Sequence, residues 1–350
     1  MKRLEYIDAM RGLAILLVVI GHIMLFGFHH TNGNYLYAIL NDQLELPLFF
    51  LISGLFSYKP IETWNGKKIG TTIRDKFFTL IVPSLFFCML YIWINDLGLT
   101  ETLFHSHKHG YWFTFSLFEF LVLYICLILI TKLLRLKSIG EDIFMVSAAI
   151  IVLYASVFFL KNANAYPVID LFCLRQMSFF IYFVLGTVIG KRFDWFCRCM
   201  DNKIVSGILI PTYLVLALYT FEDLQQYRYF GSSTLYFMLL NTILLMIVFL
   251  LFRKHADFCK ENRIGKFLQY IGKHTLEIYL IHYFFLPRNL QPIGNFFTQH
   301  FNPVLEYLTA TGFAILVILI TLLASHIIRL SPLSAQWLLG TKPEKKMIRQ

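Results

Sequence analysis

The sequence predicts an all-α fold, a polytopic integral membrane protein of about ten transmembrane helices with both termini in the cytoplasm. Three observations predict it. Hydrophobic residues make up 57% of the 350 and charged residues 15%, where a soluble domain carries about 25% charged residues. Apolar runs recur at the length of roughly 17–25 residues that a helix needs to cross a bilayer. The basic residues gather in alternate loops, as the positive-inside rule requires.

Taken in order, the first span is 11–28. Met1-Lys2-Arg3 resembles the charged start of a signal peptide, but no small-x-small site follows the apolar run, so the helix is expected to stay. The second, 44–58, is short and reads as tilted or partly re-entrant. Then come 77–95, 111–131, 143–160, 170–190, 204–221, 233–252, 267–286 and 304–328. With the N-terminus inside, segments 1–11, 59–76, 132–142, 191–203, 253–266 and 329–350 are cytoplasmic and hold most of the 31 Lys and Arg. The outer segments hold Lys108, Lys161, Arg228, Arg288 and little else. One missed span would destroy this separation. Residues 1–330 therefore read as one transmembrane domain and 331–350 as a basic cytoplasmic tail.

The net charge of +10 gives a cytoplasmic face suited to anionic lipid headgroups. It is spread over short loops and forms no nucleic-acid-binding module. The cysteines (Cys88, Cys126, Cys173, Cys197, Cys199, Cys259) lie in apolar runs or cytoplasmic loops, which is no disulfide framework. Neither Cys197-x-Cys199 with Cys259 nor "H-S-H-K-H" (His105 to His109) has the partners a metal site needs, so no metal is expected.

Chemistry enters with the first helix. Arg11 and His22 are eleven residues apart, which places them on one helix face about 16 Å apart along the axis. Asp8 is three residues before Arg11, in reach to brace its guanidinium and too far from His22 to form a dyad with it. Two readings are open. Arg11 is a positive-inside anchor and His22 a polar helix contact, or the two form a site that runs inward, with an arginine fork for phosphate and a neutral histidine as base.

"E-Y-I-D-A-M-R-G-L-A-I-L-L-V-V-I-G-H", Glu5 to His22, resembles the opening signature of the membrane-bound acyltransferase family 3, an Arg and a His with ten residues between them. Further motifs follow in the family's order. They are "L-P-L-F-F-L-I-S-G-L-F" (Leu46 to Phe56), "R-D-K-F-F-T-L-I-V-P" (Arg74 to Pro83), "Y-W-F" (Tyr111 to Phe113), "F-V-L-G-T-V-I-G-K" (Phe183 to Lys191) and "I-G-K-H-T-L-E-I-Y-L-I-H" (Ile271 to His282). The likeness spans nearly the whole chain. One departure stands in the basic loop, where many members carry a second arginine three residues after the first. Here Asp75, Lys76 and Phe77 follow Arg74, and Lys76 is the candidate replacement.

The resemblance implies acyl transfer to a hydroxyl, with acetyl-CoA as co-substrate, no permanently bound cofactor, and a sugar of a surface polysaccharide or lipid-linked glycan as acceptor. Family members of this kind are multi-pass proteins of the bacterial cytoplasmic membrane. On that reading Arg11, Arg74 and Lys76 bind the acyl-CoA, and His22 acts as base or carries the acyl group. Glu119 is the expected orienting partner of His22, ahead of Glu277 and Asp170. Ser53 reads as a close-packing residue or a substrate contact, and Trp112 as an interfacial anchor or a pocket wall. Arg175 is expected to line the acceptor side or to pair with a buried carboxylate. His282, near the outer end of its helix, reads as interfacial or catalytic. The rival class is a proton-coupled secondary transporter, against which stand the absent inverted repeat and the absent paired broken helices.

Overall fold

The structure is a computed structural model that describes residues 4–31, 33–162, 168–219 and 234–341. No strand occurs among them, and the fold is that of an all-α polytopic membrane protein. The expected span ends at 221 and 233 and the tail residues 342–350 lie outside the described residues.

Among the described residues, seven helices are long and apolar enough to cross a membrane: Glu5–Phe28, Tyr35–Ser57, Gly66–Ile94, Trp112–Leu133, Ser138–Phe158, Leu235–Lys254 and Pro303–Arg329. An eighth candidate is the pair Phe193–Asp201 and Lys203–Leu218, bent by 79°. The two other expected spans are interrupted. In 170–190 a 3-10 turn, Leu174–Phe179, precedes a 12-residue helix, Phe180–Lys191. In 267–286 the chain breaks at His274, between Arg263–Lys273 and Thr275–Ile281.

The elements around the site are α1 (Glu5–His22), α2 (Leu46–Ser57), α3 (Gly66–Lys76), α4 (Val82–Ile94), α5 (Trp112–Leu133), α6 (Phe180–Lys191), α7 (Arg263–Lys273), α8 (Thr275–Ile281) and α9 (Pro303–Arg329). Among the described residues, three wide, π-helical stretches interrupt the spans: Ile23–Phe28 after α1, Ala38–Glu45 before α2, and Phe77–Ile81 before α4. The last two end just ahead of Pro47 and Pro83. A proline ring clashes with the carbonyl four residues earlier and removes one hydrogen bond, so the preceding turn widens. The second expected span is longer than 44–58, since the helix runs from Tyr35 through the widened stretch to Ser57.

Glycines set how closely the helices approach. A Cβ on Gly12 of α1 would stand 1.9 Å from the Leu268 carbonyl oxygen, and one on Gly272 of α7 1.9 Å from that of Asp8. The α1–α7 crossing is therefore backbone on backbone. The α2–α6 crossing is built the same way from Gly54 and Gly186. Close small-residue packing of this kind holds helices together where lipid offers no hydrophobic driving force.

Candidate active site

One cavity of about 1390 Å³ runs between these helices. Its walls include Asp8, Arg11, Lys59 and Lys76 near the N-terminal end of α1, and Ser106, His107, Trp112 and Arg175 near the other end. His22 and Tyr283 lie on the same wall system. All three π-helical stretches supply lining residues, Leu25, Asn41 and Thr79 among them. Such stretches occur often at functional sites because a wide turn re-aims its side chains.

His22 is the last residue of α1. Its Nδ1 is 2.8 Å from His282 Nε2, and the two rings stack with centroids 5.1 Å apart and planes 2° from parallel. His282 is fully buried. Its Nδ1 lies 2.8 Å from the Ile278 carbonyl oxygen and 2.9 Å from that of Tyr279. A carbonyl oxygen accepts only, so His282 Nδ1 carries the hydrogen. With both rings neutral, His282 Nε2 accepts from His22 Nδ1–H, and His22 Nε2 keeps its lone pair. The Tyr283 hydroxyl, 3.3 Å from that nitrogen, donates to it. The backbone carbonyls of α8 thereby select, through two rings, which nitrogen of His22 is basic.

Arg11 lines the same cavity as His22, and its Nη2 donates to Thr275 Oγ1 at 3.0 Å. Asp8, its expected brace, is buried at the same end. Lys76 lines the cavity and Arg74 does not. Arg74 is exposed and pairs with Asp75 at 3.5 Å. It sits about 200° around α3 from both Thr72 and Lys76, which do line the cavity. Ser53 and Trp112 are wall residues, with Trp112 stacked on Phe179. Arg175 grips the buried Asp170 through two bonds of 2.6 Å from Nε and Nη2, the expected pairing with a carboxylate, and it also lines the cavity. Beside it, burial with His105 nearby holds the loop residue His107 below the ordinary histidine range.

Glu119 is not brought to His22. It stands about 200° around α5 from both Leu117 and Leu121, which face the cavity. Its Oε2 is buried without a hydrogen-bond partner among the described residues. The ring that orients His22 is His282. The two weaker candidates are also engaged elsewhere, Glu277 with Arg329, Ser325 and His274, and Asp170 with Arg175.

Sequence reasoning passed over Asn41, Glu45, Lys59 and Tyr283. A signal for two of them exists in "N-D-Q-L-E-L-P", Asn41 to Pro47, where polar groups recur just ahead of an apolar run and a proline.

No curated protein and no solved structure matches the chain. A family model described as an acyltransferase domain matches residues 4–326. That stretch takes in α1 through most of α9 and every wall of the cavity except Gly340. This chain therefore belongs to the membrane-bound acyltransferase family 3, and it is a multi-pass membrane acyltransferase.

Proposed function

We propose that the protein moves an acetyl group from cytoplasmic acetyl-CoA to a hydroxyl of a sugar, in a surface polysaccharide or its lipid-linked precursor, from a bacterial cytoplasmic membrane. The observation that carries this reading is a single cavity with Arg11 and Lys76 at one end and His22 on its wall, its Nε2 unprotonated and accepting only the long 3.3 Å hydrogen bond from the Tyr283 hydroxyl. The basic end lies on the side that the positive-inside rule assigns to the cytoplasm. There a polyanionic donor finds cations before its thioester reaches the histidine.

In the base route, His22 Nε2 takes the proton of the acceptor hydroxyl while that oxygen bonds to the thioester carbonyl carbon. The tetrahedral adduct collapses, the carbon–sulfur bond breaks, and the proton passes from Nε2 to the departing thiolate. The products are the sugar ester and CoA thiol. In the nucleophile route the same lone pair bonds to the carbonyl carbon, the carbon–sulfur bond breaks and CoA departs as thiolate, leaving an acetylimidazolium. The acceptor hydroxyl then attacks that carbonyl carbon, the carbon–Nε2 bond breaks, and the hydroxyl proton is released to the thiolate. Both routes need an unprotonated Nε2, which the His282 contact favours.

Purified protein incubated with acetyl-CoA and candidate glycans should release free thiol and form an O-acetyl product. His22→Ala should lower both by at least about 10²-fold while the protein still inserts and purifies. Near-normal turnover in that variant rejects the proposed role of His22, and no thiol release from the wild type rejects the acetyl-CoA reaction. A proton-coupled transporter would release none. A CoA burst in the absence of acceptor, equal to the enzyme present, marks the nucleophile route.

A further inference from the structure

Glu45 stands on the wall of this cavity. It lies on the π-helical stretch Ala38–Glu45, is 9% exposed and lines the cavity. A carboxyl within a membrane is costly unless it is paired, and groups of this kind mark substrate or ion paths. Glu45 has no cation partner among the described residues. Its Oε2 accepts from Asn41 Nδ2 at 2.7 Å, and its Oε1 has no partner among the described residues. Asn41 is itself locked on three sides. The same Nδ2 donates to the Leu17 carbonyl oxygen at 2.6 Å, and Oδ1 accepts from the Tyr307 hydroxyl at 2.9 Å. One oxygen of Glu45 is thus fixed by a network that joins α1 to α9, and the other is left for whatever enters.

The location ties this carboxyl to the chemistry. Gly21 immediately precedes His22, and a Cβ there would stand 2.7 Å from Asn41 Nδ2 and 3.3 Å from Glu45 Oε2. The glycine leaves room for the amide and the carboxyl against the end of α1 that carries His22. The group that best suits Oε1 is a hydroxyl. It donates to a carboxylate and can accept from a carboxylic acid, so either form of Glu45 holds it. A metal ion suits it less, because no group of three His, Cys, Asp or Glu side chains among the described residues could hold one.

We propose that Glu45 Oε1 binds a second hydroxyl of the acceptor, next to the one His22 activates, so that the enzyme prefers acceptors with adjacent hydroxyls to simple alcohols. This rests on the acyl-transfer reading above. A site built to hydrogen-bond a hydroxyl discriminates strongly against an analogue that lacks it, because the buried group is then left unpaired.

The test uses the full chain in detergent with acetyl-CoA and two small probes, propane-1,2-diol and propan-1-ol. The quantity read is the ratio of kcat/KM for O-acetyl product. The wild type should favour the diol by at least about tenfold. Glu45→Met, close in length and without a strong hydrogen-bonding group, should bring the ratio to within about twofold of unity, with the change in KM for the diol. Glu45→Asp, which keeps the carboxyl on a shorter arm, should restore part of it. A preference that survives Glu45→Met in a monodisperse, correctly sized preparation overturns the proposal, as does a wild type that treats the probes alike or acetylates neither. Failure of the underlying reading looks different: the wild type then releases no thiol with any acceptor, and His22→Ala changes nothing.

Discussion

At the scale of single residues, the tautomer of His22 is the sharpest consequence of the geometry. His22 Nδ1 must find an acceptor 2.8 Å away, and His282 Nε2 supplies it. His282→Gln can present a side-chain oxygen in its place and should keep turnover within about tenfold of wild type. His282→Ala should cost about 10²-fold or more, the usual weight of a positioned base. Thiol release across a pH series separates this from mere loss of packing, since the glutamine variant should keep the wild-type profile. The donor end gives a second contrast. Lys76 lines the cavity and Arg74 faces away. Lys76→Ala should raise KM for acetyl-CoA about two- to fivefold, the scale of an exposed charge contact, and Arg74→Ala should raise it less. Sequence motifs alone rank these two the other way, because Arg74 is the residue that fits the family pattern and helix phase is invisible in a motif.

At the scale of elements, the interrupted helices shape the site. His22 sits where α1 becomes a π-helix, Glu45 where another π-helix becomes α2, and His282 just past the end of α8. Pro47 explains one of these irregularities from the sequence. The break at His274 has no such marker, and periodicity reads straight through it. Glycine packing yields a prediction at this scale. Gly272→Val would drive a side chain into the Asp8 backbone and should cost about 1–3 kcal/mol, the range for overpacked contacts. Gly312→Ala meets nothing within 4 Å and should be neutral or slightly stabilising. Thermal unfolding in one detergent, wild type beside both variants, checks the contrast. Equal losses would mean the α1–α7 crossing is looser than the backbone distances require.

At the scale of the whole molecule, the two ends of the cavity differ in kind. One carries Arg11, Lys59 and Lys76; the other carries Trp112, His107 and the Asp170–Arg175 pair. On the proposed orientation a cysteine at Lys59 should react with an impermeant maleimide only from the cytoplasmic side, and one at Ser106 only from the opposite side. Labelling of both from one face would break the orientation. Composition, span length and the alternation of basic loops were enough to determine a multi-pass helical membrane protein, because the bilayer imposes the same length and charge rules on every crossing. Helix arithmetic was enough to put Arg11 and His22 on one face, because both lie on a single regular helix. Tertiary structure alone decided that His282, not Glu119, meets His22, that Lys76 faces inward, and that Glu45 joins the cavity. Those contacts link residues 260 positions apart or depend on turns widened by proline, and neither long-range closure nor a local change of helix phase is written in the spacing of one segment.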